Sequence, residues 1–86
     1  MSYEVIISKR AAKEIKNLPN QEIPKIIQKI KLLADDPRPS GCKKLSGAEE
    51  DLYRIRSGDY RVIYSIEDVI KIVDIRQVGH RRDIYK

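Results

Sequence analysis

The residues of this chain best suited to chemistry on an anion are arginines, and they are unevenly placed. Six of the eight, Arg54, Arg56, Arg61, Arg76, Arg81 and Arg82, fall in the last 35 residues, whereas eight of the ten lysines precede residue 50. A guanidinium is a rigid, permanently charged fork that matches phosphate geometry; an ammonium on a flexible stem is a solvated point charge. Two titratable side chains, His80 and Tyr85, accompany Arg81 in the closing stretch Val78-Gly79-His80-Arg81-Arg82-Asp83-Ile84-Tyr85-Lys86. The chemistry such a set suits is binding a phosphodiester backbone. Arginine stays protonated in proteins and is a poor base, and a phenol titrates near pH 10, so the set suits charge stabilisation better than proton transfer.

Period-two patterning decides where those arginines sit. Tyr53 and Ile55 alternate with Leu52, Arg54 and Arg56, Ser57-Gly58-Asp59 reads as a turn, and Tyr60, Val62, Tyr64 and Ile66 alternate with Arg61, Ile63 and Ser65. If the tyrosines and aliphatics face the core, Arg54, Arg56 and Arg61 share the opposite, solvent-facing side of a hairpin. Like charges so placed repel unless an anion lies among them or acids neutralise them, and Asp59, Glu67, Asp74 and Asp83 are near enough in sequence to do the latter. No aromatic interleaves with Arg54 and Arg56, which excludes an RNA-recognition-motif platform.

The rest of the chain supplies the layer behind that hairpin. Tyr3 to Ile7 reads as a strand. Ser8 is a helix cap, followed by Ala11, Ala12, Ile15 and Leu18 at helical spacing before Pro19. Asn20 is a second candidate cap. Behind it Ile23, Ile26, Ile27, Ile30, Leu33 and Ala34 mark an amphipathic helix ended by Asp35-Asp36-Pro37. Residues 37–50, with Pro37, Pro39, Gly41 and Gly47, read as a loop carrying Lys43 and Lys44. Val69 to Val78 is a third strand of the C-terminal half, with Gly79 breaking it. The expected architecture is α+β: an N-terminal strand, two helices, then a three-stranded antiparallel meander, the helices packed on one face of a single four-stranded sheet.

Size and composition narrow the classes. Eighty-six residues with a net charge of +5 fit one domain, 1–86, with a thin core lacking Phe and Trp. Single residues of Cys (Cys42) and His exclude an internal disulfide and a cysteine-based zinc site, so no metal and no cofactor is expected. No signal peptide or apolar run of membrane-spanning length is evident, and a cytoplasmic setting without a membrane partner is the expectation.

Several segments in their order carry a resemblance. Tyr3-Glu4-Val5, Lys44-Leu45-Ser46-Gly47, Asp51-Leu52-Tyr53-Arg54-Ile55-Arg56, Gly58-Asp59-Tyr60-Arg61-Val62-Ile63-Tyr64 and Val78-Gly79-His80-Arg81 with Tyr85 resemble the RelE-type toxins of the RelE/ParE toxin–antitoxin superfamily, from Tyr3 to Tyr85. The resemblance implies a ribosome-dependent endoribonuclease that cleaves messenger RNA in the ribosomal A site by attack of a ribose 2′-hydroxyl on the adjacent phosphate. It implies catalytic roles for Arg61, Arg81 and Tyr85, substrate binding by Arg54, Arg56, Lys43, Lys44 and His80, and a cognate antitoxin as partner. The alternatives within and beyond the superfamily are a ParE-like inhibitor of DNA gyrase and a non-catalytic RNA-binding domain.

Overall fold

The computed structural model describes residues 2–47 and 50–84. Strand β1 (Glu4–Ile7) leads into helix α1 (Lys9–Lys16), where the Ser8 hydroxyl caps the helix by accepting from the Ala11 N–H at 3.1 Å. Helix α2 (Ile23–Leu32) starts later than Asn20 suggests: Glu22 is the capping residue, and Pro24 sits in the first turn, where its missing N–H costs no helical bond. Strands β2 (Lys43–Leu45), β3 (Leu52–Ser57), β4 (Tyr60–Glu67) and β5 (Ile72–His80) follow, and a single turn of helix, α3 (Arg81–Ile84), closes the described chain.

The sheet corrects the sequence expectation in two ways. It has five strands rather than four, in the order β1-β5-β4-β3-β2, and it is mixed because β1 pairs parallel with β5, Glu4 beside Ile72 through Ile7 beside Ile75. The added strand is β2, whose Lys43, Lys44 and Leu45 pair antiparallel with Arg54, Tyr53 and Leu52. Three residues among prolines and glycines are too few to display alternation, so this strand is defined by its partner rather than by its own pattern. There are also three helices rather than two, and β5 runs through Gly79 to His80 instead of stopping at the glycine.

Both helices lie on one face of the sheet. Ala11, Ile15, Ile26, Ile30 and Leu33 pack against Ile55, Val62, Tyr64, Val73, Ile75 and Val78, all buried. The spacing of the β5 members changes from two (Val73, Ile75) to three (Ile75, Val78) because the β4–β5 register shifts between Ile63 and Tyr64: Ile63 lies opposite Gln77 but Tyr64 opposite Ile75. This bulge leaves Arg76 as the extra residue. Past the end of β1, the outer edge of β5 is sealed by α1, whose Glu14 carboxylate accepts the Val78 N–H at 2.9 Å.

One fully buried tyrosine ties the long loop to this core. The Tyr64 hydroxyl donates to the Pro37 carbonyl at 2.7 Å, which leaves its oxygen to accept from the Cys42 thiol at 3.2 Å. Burial first, and then the Cys42 contact, push its phenol above the usual tyrosine range. On the surface, Asp68 performs a similar service at the opposite side of that loop. Its carboxylate takes two bonds from Arg38 (3.2 and 2.9 Å) and one from the Tyr3 hydroxyl (2.7 Å).

Two measurements follow from these ties. Tyr64→Phe strands the Pro37 carbonyl and lowers stability by about 1–2 kcal/mol in chemical unfolding. Hydrogen bonds from Arg38 and then Tyr3 hold the Asp68 carboxyl at about 2, below its ordinary 3.8. A depressed carboxyl stabilises the fold above its unfolded value and loses that contribution as pH falls through the folded one. Wild type and Asp68→Asn therefore differ in melting temperature at pH 7 and converge as the pH is lowered from 4 to 2.

Candidate nucleic-acid interface

Directly paired residues on neighbouring strands project to the same side of a sheet. Arg56 lies opposite Arg61, and Arg61 opposite Gly79; Lys43 lies opposite Arg54, and Arg54 opposite Ile63. These two rows sit on the face away from α1 and α2, so Lys43, Arg54, Arg56 and Arg61 form one contiguous cationic patch. Helix α3 borders it, with the Ile84 side chain lying over Gly79 on this face.

The sequence reading takes all three sheet arginines as solvent-facing, and only Arg56 is. Arg54 is 9 % and Arg61 8 % exposed. Arg61 is drawn in by the β3–β4 turn, where its Nη1 donates to the carbonyls of Gly58 (2.9 Å) and Tyr60 (3.0 Å). Gly58 adopts a φ of +60°, and that left-handed conformation shapes the turn presenting those carbonyls. The Arg61 Nε has no hydrogen-bond partner among the described residues. Two neutral carbonyls therefore orient this guanidinium without cancelling its charge. This backbone cradle carries no side-chain signature, and the only pointer to it in the sequence is the Gly58 turn.

The remaining arginines are neutralised, which settles part of the choice posed by the sequence. Arg76 binds Glu50 (2.6 Å) and Asp74 (3.0 Å), and the Glu50 bond in particular raises its pKa. Arg38 binds Asp68, which raises its pKa as well. Arg82 has Asp83 at 4.0 Å. Of the four acids nominated from sequence, Asp59, Asp74 and Asp83 do pair with arginines, but none of them reaches Arg56 or Arg61. Among the described residues Lys43, Arg56 and Arg61 enter no ion pair.

Other nominated residues are placed differently. Arg81 joins the patch from its end: its N–H donates to the Asp59 carbonyl at 2.8 Å and its exposed side chain lies 3.7 Å from the Asp59 carboxylate. Lys44 pairs with Tyr53 in register, hence on the helix side, and bridges to Asp51 at 3.5 Å. His80 is opposite Tyr60, again on the helix side, with the two rings edge to face at 5.3 Å. Its Nδ1 accepts the Arg82 N–H at 3.2 Å, which places the proton of the neutral ring on Nε2. The structure thus gathers Lys43, Arg54, Arg56, Arg61 and Arg81, and separates Lys44 and His80 from them. Tyr85 lies outside the described residues.

Two unneutralised cations in direct cross-strand register carry a stability cost that a ligand would relieve. Arg56→Gln raises the stability of the free protein by roughly 0.5 kcal/mol in low-salt thermal melts, and the gain shrinks as salt screens the pair. Arg76→Gln, which strands Glu50 and Asp74, lowers it.

Comparison with known proteins places this geometry in a family. The model for the ParE toxin of type II toxin–antitoxin systems, parDE, matches residues 5–85. The chain is 35 % identical over 89 residues to the RelE1 toxin of Methanocaldococcus jannaschii, covering all of this chain and 98 % of that one. It superposes on the toxin of the archaeal RelE–RelB complex from Pyrococcus horikoshii with a TM-score of 0.82 at 34 % identity, covering 96 % and 99 % of the two chains. For the toxin–antitoxin complex RelBE2 of Mycobacterium tuberculosis the TM-score is 0.83 at 26 % identity, covering 94 % and 100 %.

Proposed function

Since the chain belongs to the RelE/ParE superfamily and is a RelE-type toxin of a type II toxin–antitoxin system, we propose that it is a ribosome-dependent endoribonuclease cutting messenger RNA in the A site. The observation that supports this reading best is the charge state of the sheet face. Among the described residues, Arg61 and Arg56 stand side by side without a carboxylate partner, while Arg38 and Arg76, elsewhere on the surface, are matched by acids. Charge left unneutralised at a buried, oriented guanidinium suits an anion that arrives during the reaction.

In the reaction the ribose 2′-oxygen attacks phosphorus, the bond from phosphorus to the 5′-oxygen breaks, and a 2′,3′-cyclic phosphate and a 5′-hydroxyl result. One proton leaves the 2′-hydroxyl and one reaches the departing oxygen. Arg61, fixed by Gly58 and Tyr60, and Arg81, at the end of the same patch, stabilise the additional charge on the equatorial oxygens. Arg54, Arg56 and Lys43 hold the flanking backbone. Tyr85 is the proposed proton-transfer or base-stacking group. His80 is a weaker choice, because its Nδ1 already accepts a backbone N–H and its ring faces the helices. A site made chiefly of charge stabilisers needs a substrate already bent towards in-line attack, which is the part assigned to the ribosome. An antitoxin partner accords with the RelE–RelB complexes among the relatives.

The family model's ParE description keeps one other reading in view, a gyrase inhibitor that performs no RNA chemistry. Mapping 5′ ends of messages in a translating extract separates the two. Wild type produces ribosome-dependent cuts and little cleavage of free RNA, and Arg61→Ala and Arg81→Ala each reduce the cutting rate about a hundredfold with circular dichroism unchanged. Intact messages together with blocked gyrase supercoiling would overturn the nuclease reading.

A further inference from the structure

Strand β2 accompanies β3 only as far as Arg54, so Ile55 to Ser57 form a bare stretch of sheet edge. Beside it opens a cavity of about 640 Å³, walled by α2 on one side and by the Pro39–Lys43 segment on the other. That size lies in the range of small-ligand sites. Its apolar lining includes Leu32, Pro39 and Ile55, and Leu32 is 53 % exposed. Its charged lining is entirely cationic. Besides the buried Arg54, Lys29 comes from α2 and Lys43 and Arg56 from the sheet; none of these last three enters an ion pair among the described residues, and no described acid lines the cavity.

Two of those cations belong to the patch that runs from Arg61. A chain of phosphates leaving Arg61 by way of Arg56 reaches the uncovered edge of β3 and, directly beyond it, this cavity. We propose that the cavity is a nucleotide subsite, in which Lys29 binds a phosphate flanking the scissile one and the attached nucleoside covers Leu32, Pro39 and Ile55. The inference rests on the RNA reading of the sheet face and extends it around the edge to a residue on α2. An added β-strand from a protein partner fits the place poorly, because three uncovered residues make too short an edge. Continuity with the phosphate row favours RNA over an acidic peptide, which would share only the charge.

The test is binding, not cleavage, so it remains informative whatever the nuclease assay gives. The probe is a fluorescent 2′-O-methyl hexanucleotide, which lacks the attacking hydroxyl, titrated by anisotropy from low to moderate salt. Lys29→Gln weakens binding about fivefold at low salt and reduces the slope of log affinity against log salt by about 0.7, the value for one lost single-strand phosphate contact. Lys29→Glu weakens it further. Lys25→Gln, on the same helix but paired with Glu22, is the control and changes neither quantity. A 4-thiouridine at one end of the probe cross-links to residues 29–32 or 39–43. If Arg56→Gln weakens binding while both Lys29 variants leave affinity and slope unchanged, the path does not enter the cavity and the subsite is wrong. If neither Arg56 nor Lys29 matters, the RNA reading of the sheet face falls first and the subsite with it. Loss of an acidic peptide's binding, rather than RNA's, in Lys29→Glu would also overturn the assignment.

Discussion

Arg61 is nine-tenths buried and its guanidinium is held by carbonyl oxygens, with Arg56 directly across the strand pair and no carboxylate paired with either among the described residues. A permanently charged group inside a small domain is costly unless something orients and partly solvates it. Here the turn at Gly58 to Tyr60 supplies two carbonyl dipoles, enough to fix the fork without removing its field. Much of the molecule serves that placement. Helices α1 and α2 occupy one side of the sheet, so the tyrosine-rich and aliphatic positions of β3 and β4 fill the core and the alternate positions, arginines, gather on the other. Helix α3, its Ile84 side chain over Gly79, closes the end of the patch.

The contrast among arginines gives this placement its meaning. Arg38 and Arg76 act as struts: each makes two-pronged contact with acidic side chains and ties distant segments together. Among the described residues, Arg56 and Arg61 tie nothing acidic. In a chain with thirteen acids, this pair stands in its own repulsive field at a cost in stability.

Legibility in the sequence followed the length and regularity of each pattern. The alternation of Tyr53, Ile55, Tyr60, Val62 and Tyr64 with Arg54, Arg56 and Arg61 sufficed to put the arginines on one face. It did not reveal that Arg54 and Arg61 are buried there, because burial depends on a backbone cradle and on a neighbouring strand. Strand β2 was hidden by its brevity, and with it the fifth strand and the position of Lys43 beside Arg54. The parallel pairing of β1 with β5 joins segments nearly seventy residues apart and leaves no local mark. The β5 bulge did leave one, in the change from two-residue to three-residue spacing after Ile75. That change governs the parity of everything downstream, including the side on which His80 falls.

The proposed RNA path runs over Arg56 and Arg61 of the sheet face and not over the strut arginines Arg38 and Arg76. Nitrogen-15 NMR of the arginine Nε–H groups during titration with a non-cleavable oligoribonucleotide tests it most directly. The account predicts large shifts at Arg56 and Arg61 with Arg38 and Arg76 unmoved. Shifts confined to Arg38 or Arg76, or an unchanged Arg61 at saturating RNA, would contradict it.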